Sequence, residues 1–423
     1  MDQDGPYAKQ SLPIQMNILK TLNTIAQCSQ PSSGVTRLPF TKEHKQANKI
    51  ITQWMKEAGM QVHLDAAGTL MGTYKSSNKN AKTLILGSHQ DSVINAGRFD
   101  GIMGVLLPIL AVKKLHQKKI KLPFHIECVA FADEEGVRFP TALMGPQVLA
   151  GTFQIKDIKM KDSEGISIQQ ALNSFGGNHR KLTQLKRSKK SIIGFVETHI
   201  EQGPVLEKHK LPVGVVTGIS GITRYTCTIK GKASHAGTTP MNLRQDALAG
   251  AAEIIHVLEK KARTTKNIII TVGSIQNTPN AVNVISGEVT ISVESRSLDN
   301  KKRVSIQKEI ASIVKKICRA RNLSCQFKKT YDQKAVLCDK HLTDALSKSV
   351  KDLNYPLRKI PSGATHDASA MSDLCPIAML FVQSKDGLSH NPKEFSKEAD
   401  MQIAVQVLEN LIKNIKALLP ISQ

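Results

Sequence analysis

The chain has 423 residues, 40% hydrophobic and 22% charged, which is too long for one simple core and predicts two globular domains. Its 58 lysines and arginines against 35 acids give a formal charge of +23, but the lysines are spread along the chain without interleaved aromatics to stack on bases. That excludes a nucleic-acid binder as the first reading and leaves non-specific attraction or steering of small anions.

Seven cysteines without a CxxC pair read as reduced thiols of a cytoplasmic protein, with Cys128 and Cys227 in strands as packing residues. The opening "MDQDGPYAKQ" lacks the basic-then-apolar order of a signal peptide. No apolar run reaches the roughly 18 residues of a membrane helix, so no membrane partner is expected.

Four short apolar runs predict strands. "TLILG" (83–87) precedes His89, and "FHIECVAFA" (124–132) precedes Asp133, Glu134 and Glu135. "SIIGFVE" (191–197) precedes His199, and "IAMLFV" (377–382) precedes a loop reaching His390. Helical patterns lie at 101–117 and 399–419, and the polar stretch 158–190 reads as a helical excursion with loops. Alternating buried strands and helices predict an α/β layer with a mostly parallel sheet. Ligands bind beyond the carboxyl ends of such strands, which is where these acids and histidines fall.

Residues 214–335 follow another order. Alternating strands, a helix over 238–262, two strands, a helix over 301–320 and a last strand make β-α-β-β-α-β, a ferredoxin-like unit. Thr239 is the expected N-cap of its first helix and Pro240 the first helical residue. The expected domains are therefore 1–213 with 336–423, and the inserted 214–335.

His89 and Asp91 form H-x-D, whose i, i+2 spacing on an extended chain lets an aspartate hold a ligand histidine. Asp100 sits in the turn "GRFDG". Adjacent carboxylates such as Glu134 and Glu135 repel, and keeping both at a strand end is costly without a cation. One can bind a metal while the other takes a proton from a metal-bound water; a solvated acidic turn is the lesser, competing account of that pair taken alone. The histidines at 44, 63, 116, 125, 179, 209, 256 and 341 lie in lysine-rich or periodic surroundings and read as surface or packed side chains.

The segments "GSHQDSV", "AGRFDG", "DEEGVRFP", "ETHIEQGPVLE", "SHAGTTPMNLRQDAL", "NAVNVISGEV", "SGATHDA" and "GLSHNP" occur in this order. Together they resemble the dinuclear-metal amidohydrolases of the M20 metallopeptidase superfamily, from about residue 15 to 415. The nearest branch is that of N-carbamoyl-L-amino-acid hydrolase, allantoate amidohydrolase and β-ureidopropionase. The resemblance implies two divalent metals per subunit, Zn2+ first, with Mn2+ or Ni2+ as alternatives. His89, Asp100 and His199 would hold one; Asp100, Glu135 and His390 the other. Asp91 would orient His89, and Glu134 would be the general base. Gln202, His235, Asn283, Arg296 and His366 would face a small ureido or carbamoyl substrate bearing a carboxylate, with His235 also catalytic. His235, Asn283 and Arg296 would reach the metals on closure of the inserted lid, which would also form a homodimer interface. The implied reaction is hydrolysis of N-carbamoyl-L-amino acids. Allantoate or β-ureidopropionate hydrolysis and a non-catalytic binding protein are the competing readings. Ala96, Pro146 and Thr365 depart from the family pattern, and Thr365, beside His366, bears on the pocket.

Overall fold

The computed structural model describes residues 17–418. Its strands are β1 (Gln61–Leu64), β2 (Leu70–Tyr74), β3 (Thr83–His89), β4 (His125–Phe131), β5 (Ile192–Ile200), β6 (Val213–Ile219), β7 (Gly221–Lys230), β8 (Ser234–His235), β9 (Ile269–Thr278), β10 (Val284–Ile285), β11 (Glu288–Ser297), β12 (Ser324–Gln333), β13 (Val336–Leu337), β14 (Lys359–Ser362) and β15 (Ile377–Val382). The chain divides into two units: one up to Thr217 and again from Cys338, the other Gly218–Leu337. The crossings fall a few residues after the expected 213/214 and 335/336 because β6 runs on to Ile219 and its last residues pair with β13.

In the first unit the sheet runs β1-β2-β4-β3-β5-β15-β6, with β14 also on β6. The four central strands β4, β3, β5 and β15 are parallel, and the flanking pairs β1-β2, β2-β4 and β15-β6 are antiparallel. Every residue of β3 and β15 is buried, as parallel strands covered on both faces require. Alternate residues feed one core: Leu84 and Leu86, Ile126 and Cys128, Ala378 and Leu380 join Met103, Leu106 and Leu107 of helix Ile102–Gln117, and Leu408 and Leu411 of helix Glu398–Leu418. A second cluster, with Phe40, Phe139, Phe153 and Phe175, covers the excursion expected at 158–190. That stretch holds a helix, Ile168–Phe175, begun by a Ser167–Gln170 capping box and stopped by left-handed Gly176, between two short 3-10 turns.

The second unit is a four-stranded antiparallel sheet in the order β12-β7-β11-β9, the split βαββαβ arrangement. Its core joins Cys227, Ile229, Val289, Ile291 and Val293 to Ile254, Leu258, Ile310 and Val314 of the two helices Ala247–Thr264 and Asn300–Ala320. The first of these helices begins seven residues after the expected start at Pro240. Asp246, not Thr239, is its N-cap, accepting from Leu248 N and Ala249 N. The chain from Ala236 to Pro240 turns instead, because the Arg244 guanidinium donates to the carbonyls of Ala236 (2.6 Å) and Thr239 (3.0 Å). All seven cysteines are free thiols. Among the described residues no helix is long and apolar enough to cross a membrane.

Candidate metal centre

The carboxyl ends of the four parallel strands deliver the site. His89 is the last residue of β3 and His199 lies within β5, both inside the ladder rather than past it as expected, since β15 pairs with β5 through Phe381↔His199. Glu134 and Glu135 follow β4, and the loop after β15 brings His390. Asp100 precedes helix Ile102–Gln117, whose cap is Gly101 at φ 64. An added Cβ on Gly101 would overlap the His89 ring, so the turn needs both the positive φ and the missing side chain.

Two groups of ligand-type atoms, each within 4.8 Å of one another, share Asp100: His89, Asp100 and His199, and Asp100, Glu135 and His390. Asp100 Oδ1 lies 3.4 Å from His89 Nε2 and 3.2 Å from His199 Nε2. Asp100 Oδ2 lies 3.5 Å from His390 Nε2, which is 3.6 Å from Glu135 Oε1. His89 Nδ1 donates to the Asp91 carbonyl and His199 Nδ1 to the Ile200 carbonyl, both at 2.9 Å. A carbonyl only accepts, so Nδ1 carries a proton and each Nε2 is the nitrogen that faces Asp100. Lone pairs facing a carboxylate at this range repel unless a proton or a cation lies between them. The mixed nitrogen and oxygen donors fit a divalent cation at each group.

The orientation of His89 differs from the side-chain role expected of Asp91. It comes from the Asp91 main chain; the carboxylate, 3.9 Å from Nδ1, instead accepts from Glu134 N (3.2 Å) and Glu135 N (3.3 Å). Asp91 thus joins the first histidine to the acidic pair. Glu134 Oε2 is 4.0 Å from His89 Nε2.

The electrostatics follow from burial and from these neighbours. Burial works to raise Asp100, but the imidazoles, His199 first, hold it well below the usual carboxylate range. Burial pushes Glu134 well up, and burial with the Asp100 charge raises Glu135 to about 7. The Asp100 hydrogen bond raises His390 to about 9, while burial and then the His199 charge hold His366 well below its ordinary value.

The other expected residues divide. Gln202 donates from Nε2 to Asp100 Oδ2 (2.7 Å) and Ser389 Oγ (3.1 Å). His366, expected at the substrate, is 1% exposed, with Nε2 2.8 Å from Ser362 Oγ and its ring edge-on to His199. His235 and Asn283 are neighbours in the second unit through the β8–β10 pair and the Ala236 N to Asn283 O bond. Arg296 stands on β11, its Nε donating to Glu294 at 2.5 Å.

Three buried groups escaped the sequence reading. Glu197, inside β5, accepts from Ser88 Oγ and Ala368 N, and forms a third ligand-type group with His199 and His366. Its signal was a carboxylate in the middle of an apolar strand. Asp367 is fully buried beside His366. Glu394, four residues after His390, holds the backbone of Phe99 and Asp100.

The sequence model of Peptidase family M20/M25/M40 matches residues 85–414. The chain belongs to this family. Among its M20 relatives is an N-carbamoyl-L-amino acid amidohydrolase of Geobacillus stearothermophilus, 40% identical over 383 residues, covering 90% of this chain and 94% of the relative. Allantoate deiminase 1 of Glycine max is 36% identical over 427 residues, covering 92% and 88%. A solved amidase of the hydantoinase/carbamoylase family from Burkholderia multivorans superposes with a TM-score of 0.90 at 31% identity, covering 96% and 98%. The chain is a hydrolase of the M20 branch whose named members act on C–N bonds outside peptides.

Proposed function

We propose that this chain is a metal-dependent amidohydrolase that cleaves the ureido C–N bond of N-carbamoyl-L-amino acids, giving the L-amino acid, ammonia and carbon dioxide. The observation that carries the reading is the pair of ligand groups sharing Asp100, with the Glu134 carboxylate 4.0 Å from His89. Divalent metals at these groups, Zn2+ first with Mn2+ or Ni2+ as alternatives, would supply Lewis acidity and bring the pKa of a bound water from about 15.7 to near 7.

The protein's own groups do the rest. His89, Asp100 and His199 would hold one ion, and Asp100, Glu135 and His390 the other. Glu134 takes the proton of the attacking water and returns it to the leaving nitrogen. His235 donates to the developing oxyanion, a role worth about 3–4 kcal/mol for a single donor. Arg296 clamps the substrate carboxylate through parallel N–H bonds, and Asn283 adds a neutral donor. Gln202, beside the Asp100 carboxylate, completes the proposed substrate contacts, and His366, buried against His199, would support that ligand rather than meet substrate directly. A cytoplasmic location accords with the free thiols, and sizing by light scattering tests the proposed homodimer.

The similarity to allantoate deiminases supports a second reading, with allantoate as substrate and the same residues in the same roles. Ammonia release from N-carbamoyl-L-methionine and from allantoate by the metal-loaded protein decides between them. Release from the first alone establishes the carbamoyl reading, and release from allantoate alone replaces it. Silence on both with two metals bound removes both substrates.

A further inference from the structure

The loop that carries Asp100 and the loop that carries His390 come from distant parts of the chain. One side chain ties them together. Glu394 is 1% exposed, and its Oε1 accepts from Phe99 N (2.9 Å) and Asp100 N (3.0 Å). Its Oε2 lies 3.1 Å from Ser389 Oγ, which in turn lies 2.7 Å from Asp100 Oδ2. Glu394 is anchored within the His390 loop by its own N–H, which donates to the Asn391 carbonyl at 2.9 Å. Across from it stands Gly97, where an added Cβ would overlap Glu394. Glycine there is what lets the carboxylate reach the two amides.

We propose that Glu394 is a positioning residue for the Asp100–Glu135–His390 group, fixing the shared Asp100 carboxylate and the last histidine relative to each other. This rests on the ligand groups proposed above. A buried carboxylate that satisfies two backbone N–H groups holds a loop as a cap holds a helix end. Here it holds the backbone of a ligand, from a loop that carries another. Removing it leaves two buried amides without an acceptor, and they recover one only if the loop moves. Asp100 then turns relative to His390. Glu135 is set independently, because its amide rests on Asp91.

The test is metal binding. The metal-stripped wild type, Glu394→Ala, Glu394→Gln and Gly97→Ala are titrated with Co2+, following calorimetric stoichiometry, the visible spectrum and the melting temperature. The wild type binds two ions. In Glu394→Ala one of the two weakens by about 10- to 100-fold, the usual cost of losing an outer support of a ligand, and the cobalt spectrum changes. Gly97→Ala, which displaces the carboxylate without removing it, reproduces that loss. Glu394→Gln restores most of the affinity, since its amide oxygen still accepts from both N–H groups. Two ions at wild-type affinity and an unchanged spectrum in folded Glu394→Ala and Gly97→Ala, with only a lower melting temperature, would overturn the proposal. A wild type that binds fewer than two ions would instead remove the ligand groups themselves, and this role with them.

Discussion

Asp100 is a fully buried carboxylate that stays ionised because three imidazoles surround it. Glu134 is the opposite case: burial drives it toward the protonated form, and a nearby cation favours the anion again. A cation thus turns Glu134 from an acid into a base. Glu134→Gln keeps the shape and removes that capacity. It is expected to retain both metals while turnover falls by about 10²- to 10⁴-fold; near-normal turnover at full metal content would exclude Glu134 as the base. Arg296→Ala is expected to raise KM for carboxylate substrates well above any change in kcat, and equal KM values in steady-state kinetics would exclude the clamp.

Metal uptake is also a proton event. With His390 raised to about 9 it is protonated near neutrality, and Glu135 at about 7 is half protonated. A ligand must give up its proton to bind metal. Loading near neutral pH is therefore expected to release more than one proton, and release diminishes as pH rises through the His390 value. Calorimetry in buffers of different ionisation enthalpy reads this directly, and pH-independent uptake would contradict it.

At the scale of elements, the site depends on how strands end and turns begin. The four strand ends were legible because each apolar run stops at a polar loop carrying an acid or a histidine. The ferredoxin-like order was legible for a similar reason, since the period changes between its strands and helices. Where the helix of the second unit begins was not legible. Thr239-Pro240 carries the local signature of a helix start, but Arg244 captures the carbonyls around it and Asp246 caps the helix later. Asp91 and Glu394 were misread or missed because their partners are backbone amides; those held by Glu394 lie nearly 300 positions away, where no spacing rule reaches.

Two substitutions test these turns. Gly101→Ala combines an unfavourable φ, costing on the order of 1–3 kcal/mol, with a clash against His89. It is expected to lower both melting temperature and metal affinity, and wild-type values of both would show that the turn adapts. Arg244→Ala frees the turn after His235 and is expected to reduce kcat at unchanged metal content; unaltered kcat would separate that turn from catalysis.

At the scale of the molecule, the two units hold the charge unequally. The second carries twenty lysines and arginines against eight acids, more than half of the +23 excess, within residues 218–337. The first unit gathers the buried acids of the metal groups, and a cation there neutralises charge already desolvated. Metal at about 100 times its Kd adds roughly 2.7 kcal/mol to the folded state by mass action. A raised melting transition in the metal-loaded protein, absent with chelator, is the expected outcome.

The discontinuous sheet has a further consequence for synthesis. β15 lies between β5 and β6 and is the last strand made, some forty residues after the second unit ends at Leu337. On the ribosome the inserted unit has all its strands while the larger sheet still lacks a central one. The inserted unit is therefore expected to become protease-resistant first. The larger one waits for translation to pass β15, and the proposed Asp100–Glu135–His390 group for His390 to emerge. Proteolysis of stalled chains of increasing length would show that order, and simultaneous protection of both units would refute it.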